Sequence, residues 1–393
     1  MKKRVLIGTL ICSWFSITCT SNVYAHPHLF KEKETVFYEG FFSFQCLDWQ
    51  FEKNDGTKKI ILTKYIGNDK ELIIPTSKDL GYEGYEISIN KEVLRESSKS
   101  KTTLSTSTNG TPIIVNTLDL SGCFEFNSTL KMIDLSNLDV SKVIDLSNIF
   151  KNCDQLTKVN IGNWDTANVI DLSKAFEYCG NLTDLELNNW DVSKVENFSE
   201  MFYGCCKLNS LDLNCWKTLK VTDVSEIFAY CNELEEININ NWDTSHATNL
   251  SNMFANCYKL KSLNIENFDT KNITDMSGLF KNCRDLVQLD LNQWDTSNLI
   301  NMSYLFDGCY NLTNISIFQW NTNHVTDMSC TFRDCRSLSE LNLSLWQINN
   351  VVDMSHMFED CSNLSKLNIH NWDIESIDDN EDMFKNCLNY RDV

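Results

Sequence analysis

Apolar and aromatic residues recur every 26 positions along most of this chain, as Phe150 and Phe176 do. One column consists of Phe150, Phe176, Phe202, Phe228, Phe254, Phe280, Phe306, Phe332, Phe358 and Phe384. Three positions after each Phe is a cysteine: Cys153, Cys179, Cys205, Cys231, Cys257, Cys283, Cys309, Cys335, Cys361 and Cys387. Ten units in one frame, without insertion, indicate a tandem repeat, so the repeat decides the fold.

Each unit predicts one turn of a solenoid. Its end, L-x-x-L-x-L (Leu312, Ile315 and Ile317 in one unit), alternates like a short half-buried strand. Stacked units would place these strands side by side in a parallel sheet. The S-x-M-F-x-x-C segment predicts a short helix or 3₁₀ turn, with a Ser such as Ser303 as its N-cap. The piece 325–328 predicts a second short strand.

The units match a consensus, W-D-T-S-x-V-x-D-M-S-x-M-F-x-x-C-x-x-L-x-x-L-x-L, seen for example from Trp242 to Ile265. This pattern resembles the BspA-like leucine-rich repeat surface proteins, in the subfamily with 26-residue DUF285-type repeats. The resemblance covers about residues 112–393. It implies an exported protein that adheres to host surfaces or other cells, without catalytic activity or cofactor.

We therefore predict an α/β fold, a leucine-rich-repeat-like right-handed solenoid with a parallel sheet of short strands and short helical turns. The solenoid is expected over residues 112–393, as one degenerate and ten regular units; the degenerate unit has Phe124 in register, but Asn127 in place of the Cys. A small β-rich capping module is expected over residues 26–111, where the periodicity is absent. It contains a predicted hairpin around Asn54 and a polar linker, residues 96–110.

Positions 1–25 have the features of a signal peptide. Lys2, Lys3 and Arg4 precede a short apolar stretch, and small residues end at Ala25, where we expect cleavage. Removing these three basic residues would take the net charge from −20 to −23. A chain this acidic disfavours nucleic acid as a partner, and no later segment is apolar enough for a transmembrane span. We expect a secreted or surface-exposed protein.

The Cys column does not have the pattern of a reactive or metal-binding set. Its members are separated by a full repeat rather than clustered, and the six His residues keep no fixed offset from them. We expect buried thiols that act as small apolar side chains, with disulfides between neighbouring coils as the alternative. Nothing in residues 26–111 assembles a catalytic site, so no catalytic or metal residue is predicted.

Two acidic columns could suggest calcium binding. In one of them Asn replaces Asp at Asn197, Asn249 and Asn301, so a short side-chain oxygen rather than a charge is needed there. This favours Asx turns, in which that oxygen accepts a backbone N–H. The column of Trp residues favours a stacked, partly buried spine, with a carbohydrate platform as the alternative.

The function predicted is binding, because a rigid repeated frame presents an extended variable surface. We expect the binding face at the outward strand positions Asn160, Glu186, Asp212, Asn238, Asn264, Asp290, Ser316, Asn342 and Asn368. This polar and acidic face suits a protein or glycan ligand on a host or neighbouring cell surface. The alternatives are an exported effector that binds a host-cell protein and a passive structural protein of the envelope.

Overall fold

The computed structural model describes residues 42–46 as backbone and residues 48–389 with side chains. These residues belong to one compact unit, Thr35–Val393. The predicted signal peptide and its cleavage position after Ala25 lie outside the described residues.

The described chain begins with an antiparallel meander. Its strands are β1 (Phe42–Cys46), β2 (Trp49–Asn54) and β3 (Lys59–Tyr65). The hairpin predicted around Asn54 is confirmed, and the Asn54 side chain accepts a hydrogen bond from the Thr57 amide at 3.0 Å. The meander fits the sequence because Phe51, Ile60 and Leu62 are buried, whereas the residues on either side of each are half-buried or exposed.

From β3 onward the strands are parallel. One sheet continues through β5 (Glu86–Ile89), β7 (Ile113–Val115) and β9 (Leu138–Asp139). A second contains β4 (Glu71–Ile74), β6 (Thr103–Thr106), β8 (Met132–Asp134) and β10 (Lys158–Asn160). Strands on both sides of residue 111 therefore lie in the same two sheets.

The linker predicted at residues 96–110 is wrong. This stretch contains the end of helix α1 (Lys91–Ser98) and all of β6. Asn90 caps the helix by accepting a hydrogen bond from the Val93 amide at 2.9 Å. In β6, the buried Leu104 and Thr106 alternate with half-buried neighbours, and β-branched Thr favours an extended backbone. The polar composition concealed this short strand.

Further along, the L-x-x-L-x-L strands pair in parallel with a register of one full repeat, so that Leu211 lies opposite Ile237. The strands are β11 (Ser210–Asp212), β12 (Glu236–Asn238), β13 (Gln288–Asp290), β14 (Asn314–Ser316), β15 (Glu340–Asn342) and β16 (Lys366–Asn368). They pair as β11–β12, β13–β14 and β15–β16. The predicted parallel-strand solenoid is confirmed.

A second line of backbone pairing runs along the solenoid at the V-x-D-M segment. The Asp or Asn of each unit forms a one-residue parallel bridge with its equivalent in the next, from Asp119 to Asp379. The second strand predicted there is thus reduced to one paired residue in each coil.

The helical turn predicted at S-x-M-F-x-x-C is replaced by a run of tight turns, because alternate amides bond to the next coil instead of within their own. In the unit of Phe306, the Tyr304 and Phe306 amides donate to carbonyls of the next coil, each at 2.8 Å. The Leu305 amide between them closes a local turn onto Met302. A positive φ at Tyr304 (57°) and at Gly308 (75°) permits this path, which a helix would not use.

Two columns of stacked aromatic rings form the core. Consecutive Phe rings lie 5.4–5.9 Å apart, from Phe124 to Phe384. The Trp rings stack almost in parallel, as Trp294 and Trp320 do at 6.2 Å and 3°. The Trp320 Nε1–H donates to the carbonyl of Leu291, which satisfies the polar atom of a buried ring. The predicted aromatic spine is confirmed.

Candidate functional site

The outward strand positions predicted as a binding face share one register along the solenoid. In each strand a buried or half-buried apolar residue is flanked by two polar positions, as Leu211 is by the exposed Ser210 and Asp212. The predicted residues occupy the second of these positions. Seven are exposed, whereas Asn238 and Ser316 are half-buried. This face is therefore in contact with solvent along the repeat array.

The strand ladder is interrupted at more than one coil of this face, and one interruption lies beside two clefts. Residues 262–264 carry no strand assignment, although Asn264 keeps the register position of its neighbours. Two shallow clefts, of about 490 and 400 Å³, meet at Ser262 and Asn264. Glu236 lines the first cleft and Glu266 lines the second. We call this continuous depression the strand-face groove.

The strand-face groove is acidic. Asp212, Glu236 and Asp290 line it, and none of the three forms an ion pair among the residues that the structure describes. The Asp212 and Asp290 carboxylates each also accept a backbone amide two residues later, at 3.2 Å, which fixes their direction. Carboxylates without ion pairs beside a shallow depression suit a ligand that carries cationic or hydrogen-bond-donating groups.

The Cys column lies in the core rather than at any site. Each thiol from Cys153 to Cys361 donates a hydrogen bond to the carbonyl of the Phe 29 positions earlier, at 3.0–3.3 Å. Burial raises the pKa of the Cys257 thiol to about 12, so almost no thiolate forms there at neutral pH. This environment is the opposite of what a nucleophilic cysteine requires.

The two acidic columns form the predicted turns. In the second column the side-chain oxygen accepts the amide two residues later, as Asp327 does from Ser329 at 2.9 Å. The Asn members make the same contact, for example Asn301 with Ser303 at 2.9 Å. In the first column Asp295 accepts from the Ser297 amide at 3.0 Å, and hydrogen bonding from the Ser297 side chain, then from this amide, lowers the pKa of Asp295. The side-chain oxygens of both columns therefore accept hydrogen bonds within turns. The Ser that was predicted to cap a helix instead donates its backbone amide to such an oxygen.

One group of side chains has its ligand atoms close enough for a metal ion. His356, Glu359 and Asp382 place theirs within 4.8 Å of one another. The Lys385 amine already lies 3.1 Å from Glu359 and 2.7 Å from Asp382. The positive charge that these carboxylates require is thus supplied by the chain itself.

The comparisons with known proteins agree with this geometry. A parallel solenoid of short coils defines the class of leucine-rich-repeat-like proteins. The chain belongs to the DUF285 family, described as "Mycoplasma protein of unknown function", whose model matches residues 118–236, 209–291 and 285–392. The resemblance drawn from the repeat is thereby confirmed. No curated protein matches the chain.

The chain is also similar to solved structures of bacterial leucine-rich repeat proteins. A leucine-rich repeat protein from Bacteroides ovatus is 17% identical, with a TM-score of 0.44, over 88% of this chain and 92% of that one. A leucine-rich cell surface protein from Faecalibacterium prausnitzii is 16% identical, with a TM-score of 0.37, over 83% and 94%. Among the described residues of our chain, no helix is long and apolar enough to cross a membrane.

Proposed function

We propose that this chain is a non-catalytic, exported repeat protein that binds a protein ligand through the strand-face groove. The observation that carries the proposal is a set of carboxylates without ion pairs among the described residues, Asp212, Glu236 and Asp290, beside a shallow depression on the strand face. The repeat frame is rigid because aromatic columns and backbone bonds join every coil to the next, so ligand binding would cost little ordering entropy. A basic or polar protein surface on a host or neighbouring cell is the matching partner.

Charge reversal tests this proposal. Glu236 and Glu266 line the groove and are exposed, and their carboxylates make no hydrogen bond among the described residues, so Glu236→Lys/Glu266→Lys should fold normally. The control, Asp154→Lys/Glu196→Lys, changes the net charge equally at exposed positions away from the strands. The mature proteins would be compared for binding to immobilised surface proteins from host cells and bacterial envelopes, with circular dichroism as the check on folding.

We expect the strand-face variant to lose at least tenfold in binding, while the control stays within about twofold of wild type, since two charge contacts of about 1 kcal/mol each are removed and reversed. Equal loss in both variants would show that only net charge matters. Unchanged binding in both would remove the strand face as the site.

Export is part of the proposal and has its own test. It is supported by the basic start, apolar stretch and small residues of positions 1–25. Cell fractionation followed by amino-terminal sequencing should find the protein outside the cytoplasm, beginning at His26. Recovery of the full chain from the cytoplasm would contradict export, and recovery from inside host cells would favour the effector alternative.

A further inference from the structure

Tyrosine and arginine alternate at one position of four consecutive coils. Tyr258, Arg284, Tyr310 and Arg336 each follow directly after the Cys of the column, on the run of tight turns rather than on the strands. The Arg284 guanidinium lies 4.4 Å from the Tyr258 ring centre and 5.3 Å from that of Tyr310. Arg336 lies 4.7 Å from the other side of Tyr310. We call these four residues the Tyr–Arg column.

The repeat does not require these residues. The equivalent positions in other coils are Asp154, Gly180, Cys206, Asn232, Ser362 and Leu388. The whole chain has six Arg, and three of them, Arg284, Arg333 and Arg336, fall within this short part of the array. A chain with a net charge of −20 therefore concentrates half of its Arg residues in neighbouring coils, at positions where the repeat consensus does not require Arg.

Arg284 differs from the other two arginines in its partners. Arg333 is held by the buried Asp307 carboxylate through two hydrogen bonds, of 2.8 and 2.9 Å. Arg336 donates to Asp334 at 2.7 and 2.9 Å. The exposed Arg284 side chain makes no ion pair or hydrogen bond among the described residues, and the adjacent Asp285 instead accepts a bond from Asn311 at 3.4 Å.

The two tyrosine rings hold the Arg284 guanidinium while leaving its N–H groups open. Tyr258 and Tyr310 are both half-buried, and their rings lie on either neighbouring coil within cation–π distance of the Arg284 guanidinium. The N–H donors of a guanidinium lie in its plane, and those of Arg284 make no hydrogen bond to the described residues. A guanidinium that is already ordered loses less side-chain entropy when it binds a carboxylate in the bidentate geometry.

We propose that the Tyr–Arg column is a second binding surface, which recognises a protein segment carrying exposed carboxylates, with Arg284 as the main contact. Tyr and Arg are the residue types enriched at the energetic centres of protein interfaces. A long anionic polysaccharide fits less well, because it would extend over neighbouring coils that carry Glu200, Glu226 and Asp360. This surface goes beyond the proposed function, since the strand-face groove selects the opposite charge.

The test uses the mature chain and two labelled probes of equal charge. One is a ten-residue peptide of alternating Asp and Ser, and the other is a heparin oligosaccharide; a peptide of alternating Asn and Ser is the neutral reference. Fluorescence anisotropy at low and at physiological salt would measure binding to wild type, Arg284→Gln and Arg284→Lys. Lys220→Gln is the matched control, because it removes one exposed positive charge elsewhere.

We expect wild type to bind the acidic peptide in a salt-dependent manner and Arg284→Gln to weaken it three- to tenfold. Arg284→Lys should weaken binding of the acidic peptide nearly as much, because Lys keeps the positive charge but lacks the planar guanidinium that binds a carboxylate through two hydrogen bonds. Lys220→Gln should bind like wild type. Equal binding by wild type and Arg284→Gln would overturn the proposal, as would preference for heparin, and neither result bears on the strand-face groove.

Discussion

The thiol of Cys309 donates a hydrogen bond to the backbone carbonyl of Phe280, which lies one coil earlier, at 3.1 Å. The same contact recurs at the equivalent position from Cys153 to Cys361. Each cysteine thus joins two coils while filling a volume that contains no water-exposed atom. A side chain in this place must be small, apolar and able to donate one hydrogen bond, and cysteine meets all three requirements.

The stability of the solenoid should decrease at alkaline pH. Burial raises the pKa of the Cys257 thiol from 9.0 to about 12, and raises those of Cys179 and Cys231 well above 9.0. Above pH 9 the unfolded chain loses these protons and the folded chain keeps them, so the free energy of unfolding falls as pH rises towards 12. Below pH 9 the full stabilisation is present. In this window each thiol lowers the free energy of unfolding by about 1.4 kcal/mol per pH unit.

Urea unfolding under reducing conditions, at pH 8 and at pH 10, would measure this effect. Tyr and Lys residues also titrate there, so the comparison is made with Cys257→Ala, in which those groups are the same. The pH-dependent loss of unfolding free energy should be smaller in the variant by about 1.4 kcal/mol, which is the share of one thiol. Identical losses in the two proteins would contradict the assignment.

Thiol labelling should separate the column from the other cysteines. Cys215 is exposed and Cys206 is half-buried, whereas all ten column thiols are buried. A maleimide reagent applied to the native, non-reduced protein should therefore modify Cys215 rapidly and leave the column unmodified until urea is added. All column thiols should then react without a reductant. If reductant were needed after unfolding, disulfides would be present and the thiol interpretation would be wrong.

The sequence predicted the parts of the fold that the repeat itself determines. Because a Phe and a Cys recur in every unit at the positions of Phe306 and Cys309, the register of the coils and the burial of the Phe and Cys columns follow directly. The prediction of a helical turn was wrong. A Ser before an apolar pair favours a helix locally, but the sequence alone does not show that the Phe306 amide donates its hydrogen bond to the next coil. A signal was present in Gly278, Gly308 and Asn282, residues that tolerate a positive φ.

The candidate site was predicted less completely than the fold. Strand alternation was enough to place Asp212 and Asp290 on the outer face of the sheet. The groove between them lies at residues 262–264, which form no strand, and no local sequence pattern indicated this break. The Tyr–Arg column was missed for a different reason: a search for what repeats passes over positions such as Arg284, where the units differ.

Replacing Gly308 by Ala should destabilise the protein. Gly308 has a φ of 75°, and an added Cβ would lie 2.3 Å from the Asn282 side-chain oxygen. The left-handed backbone costs a residue with a Cβ about 1–2 kcal/mol, and the contact forces Asn282 to move. Gly180→Ala is the control, because its φ lies outside the left-handed region and its added Cβ would meet nothing closer than 3.6 Å. Thermal unfolding should show a lower midpoint for Gly308→Ala alone; equal midpoints would argue against strain at this turn.

The Asx columns should depend on an oxygen atom rather than on a charge or a calcium ion. Asp327 accepts the Ser329 amide at 2.9 Å and the Ser329 hydroxyl at 2.7 Å, and Asn301 makes the same two contacts one coil earlier. We therefore expect Asp327→Asn to change the free energy of unfolding by less than about 0.5 kcal/mol, and Asp327→Ala to lower it by about 1 kcal/mol, because the amide loses its acceptor. Urea unfolding with and without a calcium chelator measures both effects together. A loss of stability on chelation, or an Asn variant as unstable as the Ala variant, would show that these carboxylates hold a cation and not only a turn.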